Sequence, residues 1–73
     1  MNTKEFIEKI KDILLIEEEA GSEYFVKIDS MSALILIQFY DENFDFRLTS
    51  EKINQIKRIG DLIELVKEKL IDQ

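Results

Sequence analysis

Phe6, Ile7, Ile10, Ile13 and Leu14 fall on one broad face of a 3.6-residue period, with Lys4, Glu8, Lys9, Lys11 and Asp12 largely opposite. This spacing predicts an amphipathic helix over residues 3–16. Asn2 followed three residues later by Glu5 has the spacing of a capping box and marks the start. At the other end, Glu17-Glu18-Glu19 crowd negative charge onto the negative pole of the helix, and Gly21 offers a left-handed cap. A loop is expected to follow, with the three glutamates as a solvated helix end or a partner contact.

Glu23 to Ile28 alternates in part, with Tyr24, Val26 and Ile28 on one side and Phe25 on the other, as a short strand would. Residues 33–48 have two solutions. Leu34 to Tyr40, an Asp41-Glu42-Asn43 turn signal and Phe44 to Leu48 fit a β-hairpin rich in branched and aromatic residues. The same run fits a helix buried on more than one side, and periodicity does not separate the two. Ser50 is placed to cap a short helix over residues 51–56, with Ile53 and Ile56 inward. Leu62, Ile63, Val66 and Leu70, widened by Leu65 and Ile71, predict a last helix over 60–71. Asp61 near its start and Lys67 and Lys69 near its end complement its dipole.

The chain has 73 residues, 45% of them hydrophobic and 36% charged. One domain follows from that length, with only about 60% of the unfolded surface removed from water on folding, so a deep catalytic cleft is not expected. Cysteine and histidine are both absent, which removes disulfides, thiolate nucleophiles, the usual zinc ligands and the ordinary neutral-pH base. The groups that do acid–base or nucleophilic work near pH 7 are therefore missing, and the chain does not read as an enzyme. A formal charge of −6 disfavours nucleic acid and suits partners with basic docking faces. Residues 1–30 hold eight acids against four bases and residues 51–73 five of each, so the acidic surface belongs mainly to the first helix and its loop. No apolar run approaches the roughly 18–20 residues of a membrane span, and residues 1–10 lack a signal-peptide pattern. A cytoplasmic monomer is the expectation.

One reactive oxygen stands out. In Asp29-Ser30-Met31, Ser30 lies between a carboxylate and the apolar run from Ala33 to Tyr40. If Asp29 or Ser30 caps a helix there, the hydroxyl sits at the positive end of the dipole, where free backbone N–H groups can stabilise an attached phosphate. Downstream come Phe44, Leu48, Thr49-Ser50-Glu51, Ile56 and Ile59-Gly60-Asp61-Leu62-Ile63. Over roughly residues 28–70 that ordered set resembles the acyl carrier protein family, including its peptidyl and D-alanyl carrier branches. The resemblance implies an all-α, four-helix bundle with helices at about 3–16, 30–43, 51–56 and 60–71, and a long loop between the first two. It makes Ser30 the attachment point of a 4′-phosphopantetheine arm, transferred from coenzyme A by a phosphopantetheinyl transferase that supplies the base and the magnesium. The arm's thiol then holds an acyl group as a thioester for loading and transferring enzymes.

The resemblance gives Asp29 a part in transferase recognition, beside its plain role as a cap, and puts Met31 at the base of the arm or against the partner. Fatty-acid carriers carry acids at the second and fifth positions after the serine, and here those positions are Ser32 and Ile35. Acids remain at Asp41 and Glu42, toward the far end of the helix. In the helical register Ile35 faces solvent as an apolar anchor for a partner; in a rotated helix or a hairpin it lies inside. The departure points to a carrier dedicated to one biosynthetic pathway rather than to bulk fatty-acid synthesis. An aminoacyl carrier of the D-alanyl or peptidyl kind and an unmodified acidic interaction domain are the alternatives. The segment between the first two helices is several residues shorter than is usual in the family.

Overall fold

A computed structural model describes residues 1–71 of the chain. In chain order it contains α1 (Thr3–Leu14), α2 (Ser30–Phe44), α3 (Ser50–Asn54) and α4 (Ile59–Val66), and a 3-10 turn over Lys67–Lys69. Among the described residues the helices close on one core of Phe6, Ile10, Leu36, Tyr40, Phe44, Leu48, Ile56, Ile59, Leu62 and Val66. The molecule is thus a small helical bundle, with α1 packed against both α2 and α4.

The helical solution for residues 33–44 wins, and the hairpin is excluded. Leu36, Tyr40 and Phe44 recur every four residues and are all buried, so one helical face delivers three large side chains to the core. A strand register would instead have grouped the polar Gln38 with Leu36 and Tyr40. Phe6, Phe39, Tyr40 and Phe44 form a cluster with ring centroids 5.7–6.0 Å apart. Tilted and edge-on pairs at that separation add attraction beyond the burial of area. Packing of this kind outweighs the weak β preference of the branched residues around it.

Several boundaries differ from those expected. α1 has the Asn2–Glu5 capping box, with the Glu5 amide 2.8 Å from the Asn2 side-chain oxygen. It stops at Leu14 and not at residue 16. The left-handed cap is Leu15 at φ 58°, and Gly21 plays no such part. Leu15 and Ile16 N–H return to carbonyls of the last turn, which closes the helix before the glutamates are reached. α3 runs over 50–54 rather than 51–56, because Thr49 and not Ser50 is its cap, accepting from the Lys52 amide at 3.2 Å. Ile56 is buried just beyond it and Ile53 half-buried. The last helix ends at Val66 rather than 71, tightening into the 3-10 turn. There Lys69 serves a different helix from the one expected: its Nζ donates to the Phe44 carbonyl at 2.6 Å, satisfying a part-buried carbonyl at the end of α2.

Residues 23–28 form no strand beyond one antiparallel bridge between Phe25 and Arg58. Val26 N–H donates to Lys57 O at 2.9 Å and Ile59 N–H to Tyr24 O at 3.0 Å, which ties the long α1–α2 loop to the α3–α4 connection. Arg58 lies over the Phe25 ring, 4.4 Å from its centroid. Gly60 completes this seam. Its amide is 2.7 Å from Ser22 O, and a Cβ on it would come within 2.9 Å of the same oxygen. This seam and the α1–α2 contact fix where α2 begins.

Candidate functional site

Asp29, in extended conformation, is the cap of α2 and Ser30 its first residue. The cap is reciprocal. Asp29 Oδ1 accepts from the Ser32 amide at 2.8 Å and from the Ser32 hydroxyl at 2.9 Å, while the Asp29 amide donates to Ser32 Oγ at 3.0 Å. A serine therefore takes the place that glutamate or glutamine holds in the usual capping box. The Ser32 amide, then the Ser32 hydroxyl, hold the Asp29 carboxyl below its ordinary value, with the Met31 amide contributing further. One expectation changes as a result: the amide of Ser32 is directed at Asp29 and does not stand free for a phosphate. Ser32 is half-buried and engaged in the cap rather than displayed to solvent.

Ser30 is exposed, and its hydroxyl makes no hydrogen bond among the described residues. It lies at the first turn of a 15-residue helix, where the dipole is positive. The side chains before and after it diverge. On one side Ser30, Ala33, Leu34 and Ile37 of α2 face Ile28 and the α3 residues Ser50, Ile53 and Asn54 across a groove of about 410 Å³. On the other, Met31, Ser32 and Ile35 face Ile13, Leu14 and Leu15 across a second groove of about 470 Å³, with Asp12 and Lys27 also lining it. Asp29 borders both. Ser30 thus lines the first groove, while its neighbour Met31 lines the second.

Met31 is 73% exposed and Ile35 44%, so Ile35 faces outward, as the helical register requires. Met31 and Ile35 are four residues apart and share a face. Asp41 and Glu42 are exposed as well, but they sit about 16–18 Å along the axis from Ser30 at 1.5 Å per residue. Glu42 receives a 3.4 Å contact from the Gln38 amide, and Asp41 borders a separate groove with Phe46 and Arg47. The structure thus gathers Asp29, Ser30, Met31 and Ile35 around one spot and leaves Asp41 and Glu42 apart. Two neighbours escape a reading of the sequence alone: Leu15, which looks like the tail of a helical stripe, and Ile53, which looks like plain core. Their places follow from where α1 ends and how α3 is set.

No helix among the described residues is long and apolar enough to cross a membrane. No protein-family model, curated protein sequence or solved structure matches the chain.

Proposed function

We propose that the protein is a carrier of the acyl carrier type, modified at Ser30 by 4′-phosphopantetheine. The observation that carries this is an exposed, unengaged hydroxyl at the first turn of a long helix anchored in the core by Leu36, Tyr40 and Phe44, on an open groove that Ser30 itself lines. Such a hydroxyl is reachable by another enzyme's active site, and a rigid helix holds it in place. The resemblance in the order Asp29-Ser30-Met31, Phe44, Leu48, Ile56 and Gly60-Asp61-Leu62 supports the same conclusion.

Ser30 Oγ attacks the β-phosphate of coenzyme A, its proton passes to a base on the transferase, and the adenosine bisphosphate leaves. Once attached, the arm supplies a thiol that holds an acyl group as a thioester. This chain's residues do the presenting. Asp29 fixes the first turn through Ser32, and Tyr40 anchors the helix to α4 with a hydrogen bond from its hydroxyl to Leu62 O at 2.6 Å. Met31 and Ile35 meet the enzymes that visit. With Ser32 and Ile35 where the fatty-acid carriers have acids, a carrier dedicated to one pathway is favoured over one for bulk fatty-acid synthesis.

Incubation with fluorescent coenzyme A, magnesium and a broad-specificity phosphopantetheinyl transferase tests this. The wild-type chain is expected to become labelled and Ser30→Ala to stay dark with an unchanged circular dichroism spectrum. Equal labelling of the two would defeat the assignment.

A further inference from the structure

Leu34 and Ile37 of α2 each line two adjoining grooves. One is the groove of about 410 Å³ that Ser30 lines, and the other, of about 260 Å³, runs on past Gln38 and Asp41 to Phe46, Arg47 and Leu48. Together they make a track along α2 with the attachment hydroxyl at one end and a guanidinium at the other. Leu34, between the two ends, is 69% exposed. The far end is electropositive in an acidic protein: residues 46–58 hold four bases against one acid, while the whole chain carries −6. Arg47 is exposed, and among the described residues its side chain makes no ion pair or hydrogen bond, not even with Asp41 in the same groove. Lys52 adds a second positive charge there, 5.0 Å from the centroid of the Phe46 ring.

Resting on the carrier assignment, we infer that the cargo is a short acyl group ending in a carboxylate, that the loaded arm lies along this track, and that Arg47 holds the carboxylate. The lengths agree. From Ser30 the level of Gln38 to Asp41 is about 12–17 Å away at 1.5 Å per residue. A phosphopantetheine arm, built of amide and single bonds like those of a peptide, extends about 15 Å at peptide spacing. Its thioester therefore reaches the level of Arg47, and a few further carbons bring a terminal carboxylate to the guanidinium. Arginine takes a carboxylate through two parallel N–H donors. An ion pair open to water is weak when its partners must find each other, but the tether holds the carboxylate near Arg47 at a local concentration of about millimolar. The same charges disfavour an aminoacyl cargo, whose ammonium would meet Arg47 and Lys52. Arg47 is thus a specificity residue, and it separates acidic acyl cargo from both plain acyl and aminoacyl cargo.

The test loads the full chain with glutaryl, pentanoyl or β-alanyl arms from their coenzyme A thioesters, using a broad-specificity transferase and magnesium, and confirms each by intact mass. Heteronuclear NMR then reads the backbone amides and the arginine Nε–H signals against the arm without cargo. The glutaryl arm is expected to shift the Arg47 Nε–H together with the Leu34 and Ile37 amides, and raised ionic strength to remove the Arg47 shift. Pentanoyl and β-alanyl arms are expected to leave the Arg47 Nε–H where the bare arm leaves it. Hydroxylamine is expected to cleave the glutaryl thioester about threefold faster in Arg47→Gln than in wild type, the scale of an exposed ion pair, with no such difference for pentanoyl. Arg47→Lys is expected to restore much of that protection. Both variants are expected to melt with wild type, since the side chain is exposed and unpaired. An Arg47 signal indifferent to the glutaryl arm, or glutaryl cleavage at the wild-type rate in Arg47→Gln, would overturn the acidic cargo and leave the carrier function standing. A β-alanyl arm that shifts the Asp41 amide and is protected more than glutaryl would assign recognition to Asp41 and overturn it likewise. No mass gain in wild type would overturn both.

Discussion

Replacing Tyr40 by Phe removes one oxygen from the centre of the bundle and leaves its ring in place. The ring is fully buried, 6.0 Å from Phe6 and 5.8 Å from Phe44 between centroids, and phenylalanine keeps those contacts. What goes is the 2.6 Å hydrogen bond from the hydroxyl to Leu62 O, which joins α2 to α4. A buried neutral hydrogen bond contributes about 1 kcal/mol net, since water competes for both groups in the unfolded chain. In a domain of this size that loss lowers Tm by about 4–8 °C. Urea unfolding followed by circular dichroism should show an earlier midpoint at unchanged m, because the surface exposed on unfolding stays the same. Tyrosinate absorbance gives a second reading. Burial pushes the Tyr40 hydroxyl well above the ordinary tyrosine range. A raised folded-state value means that the contribution is intact below about pH 10, the unfolded value, and is lost as pH rises through the folded one. Wild type is therefore expected to lose stability in strong alkali more steeply than Tyr40→Phe. Labelling of Ser30 should be the same in both at 25 °C. An unchanged Tm, or Tyr40 titrating at the ordinary tyrosine value in folded wild type, would show that the bond between α2 and α4 is misassigned.

Gly60→Ala should destabilise despite alanine's better helix propensity, by about 1–3 kcal/mol, because its Cβ would press to 2.9 Å from the Ser22 carbonyl oxygen; a melt at or above wild type would count against the seam. Asp29 is held below its ordinary value first by the Ser32 amide, and Asp61 first by the Lys57 amide and then by that of Arg58. Lowered carboxyl values contribute stability above about pH 3.9 that is lost as pH falls through the folded values, so Asp29→Asn and Asp61→Asn should each flatten the acid limb of a Tm-against-pH curve, and identical limbs would refute the caps. Leu15→Gly exchanges about 1–2 kcal/mol of left-handed strain for about 0.4–1 kcal/mol of added unfolded-chain entropy, so differential scanning calorimetry should find it as stable as wild type or more so.

The helices with a clean apolar stripe were legible in the pattern, because Phe6 and Ile10 of α1 and Leu62 and Val66 of α4 bury one face each and expose the other. α2 was not, because Leu34 to Ile37 are apolar on every side and only the tertiary cluster of Phe6, Tyr40 and Phe44 decides between helix and hairpin. The family resemblance supplied that decision in advance. Helix ends were the least legible. Leu15 gives no turn signal, so the true cap of α1 was hidden behind the more obvious Gly21, and Ser50 masked Thr49 beside it. At the candidate site, Asp29 and Ser30 were legible from the tripeptide, but Ser32 as the reciprocal cap was not, since serine there does not fit the familiar glutamate pattern. Leu15's place opposite Met31 and Ile35 depends on how two distant segments meet, which no local spacing records.

Intact-mass spectrometry of the wild-type chain after incubation with coenzyme A, magnesium and a broad-specificity transferase, followed by fragmentation of the modified peptide, decides whether Ser30 carries an arm. The expected result is a mass gain of one phosphopantetheine located on Ser30, with loss of the gain in Ser30→Ala. A chain that keeps its original mass, or gains it at another hydroxyl, would contradict the carrier function.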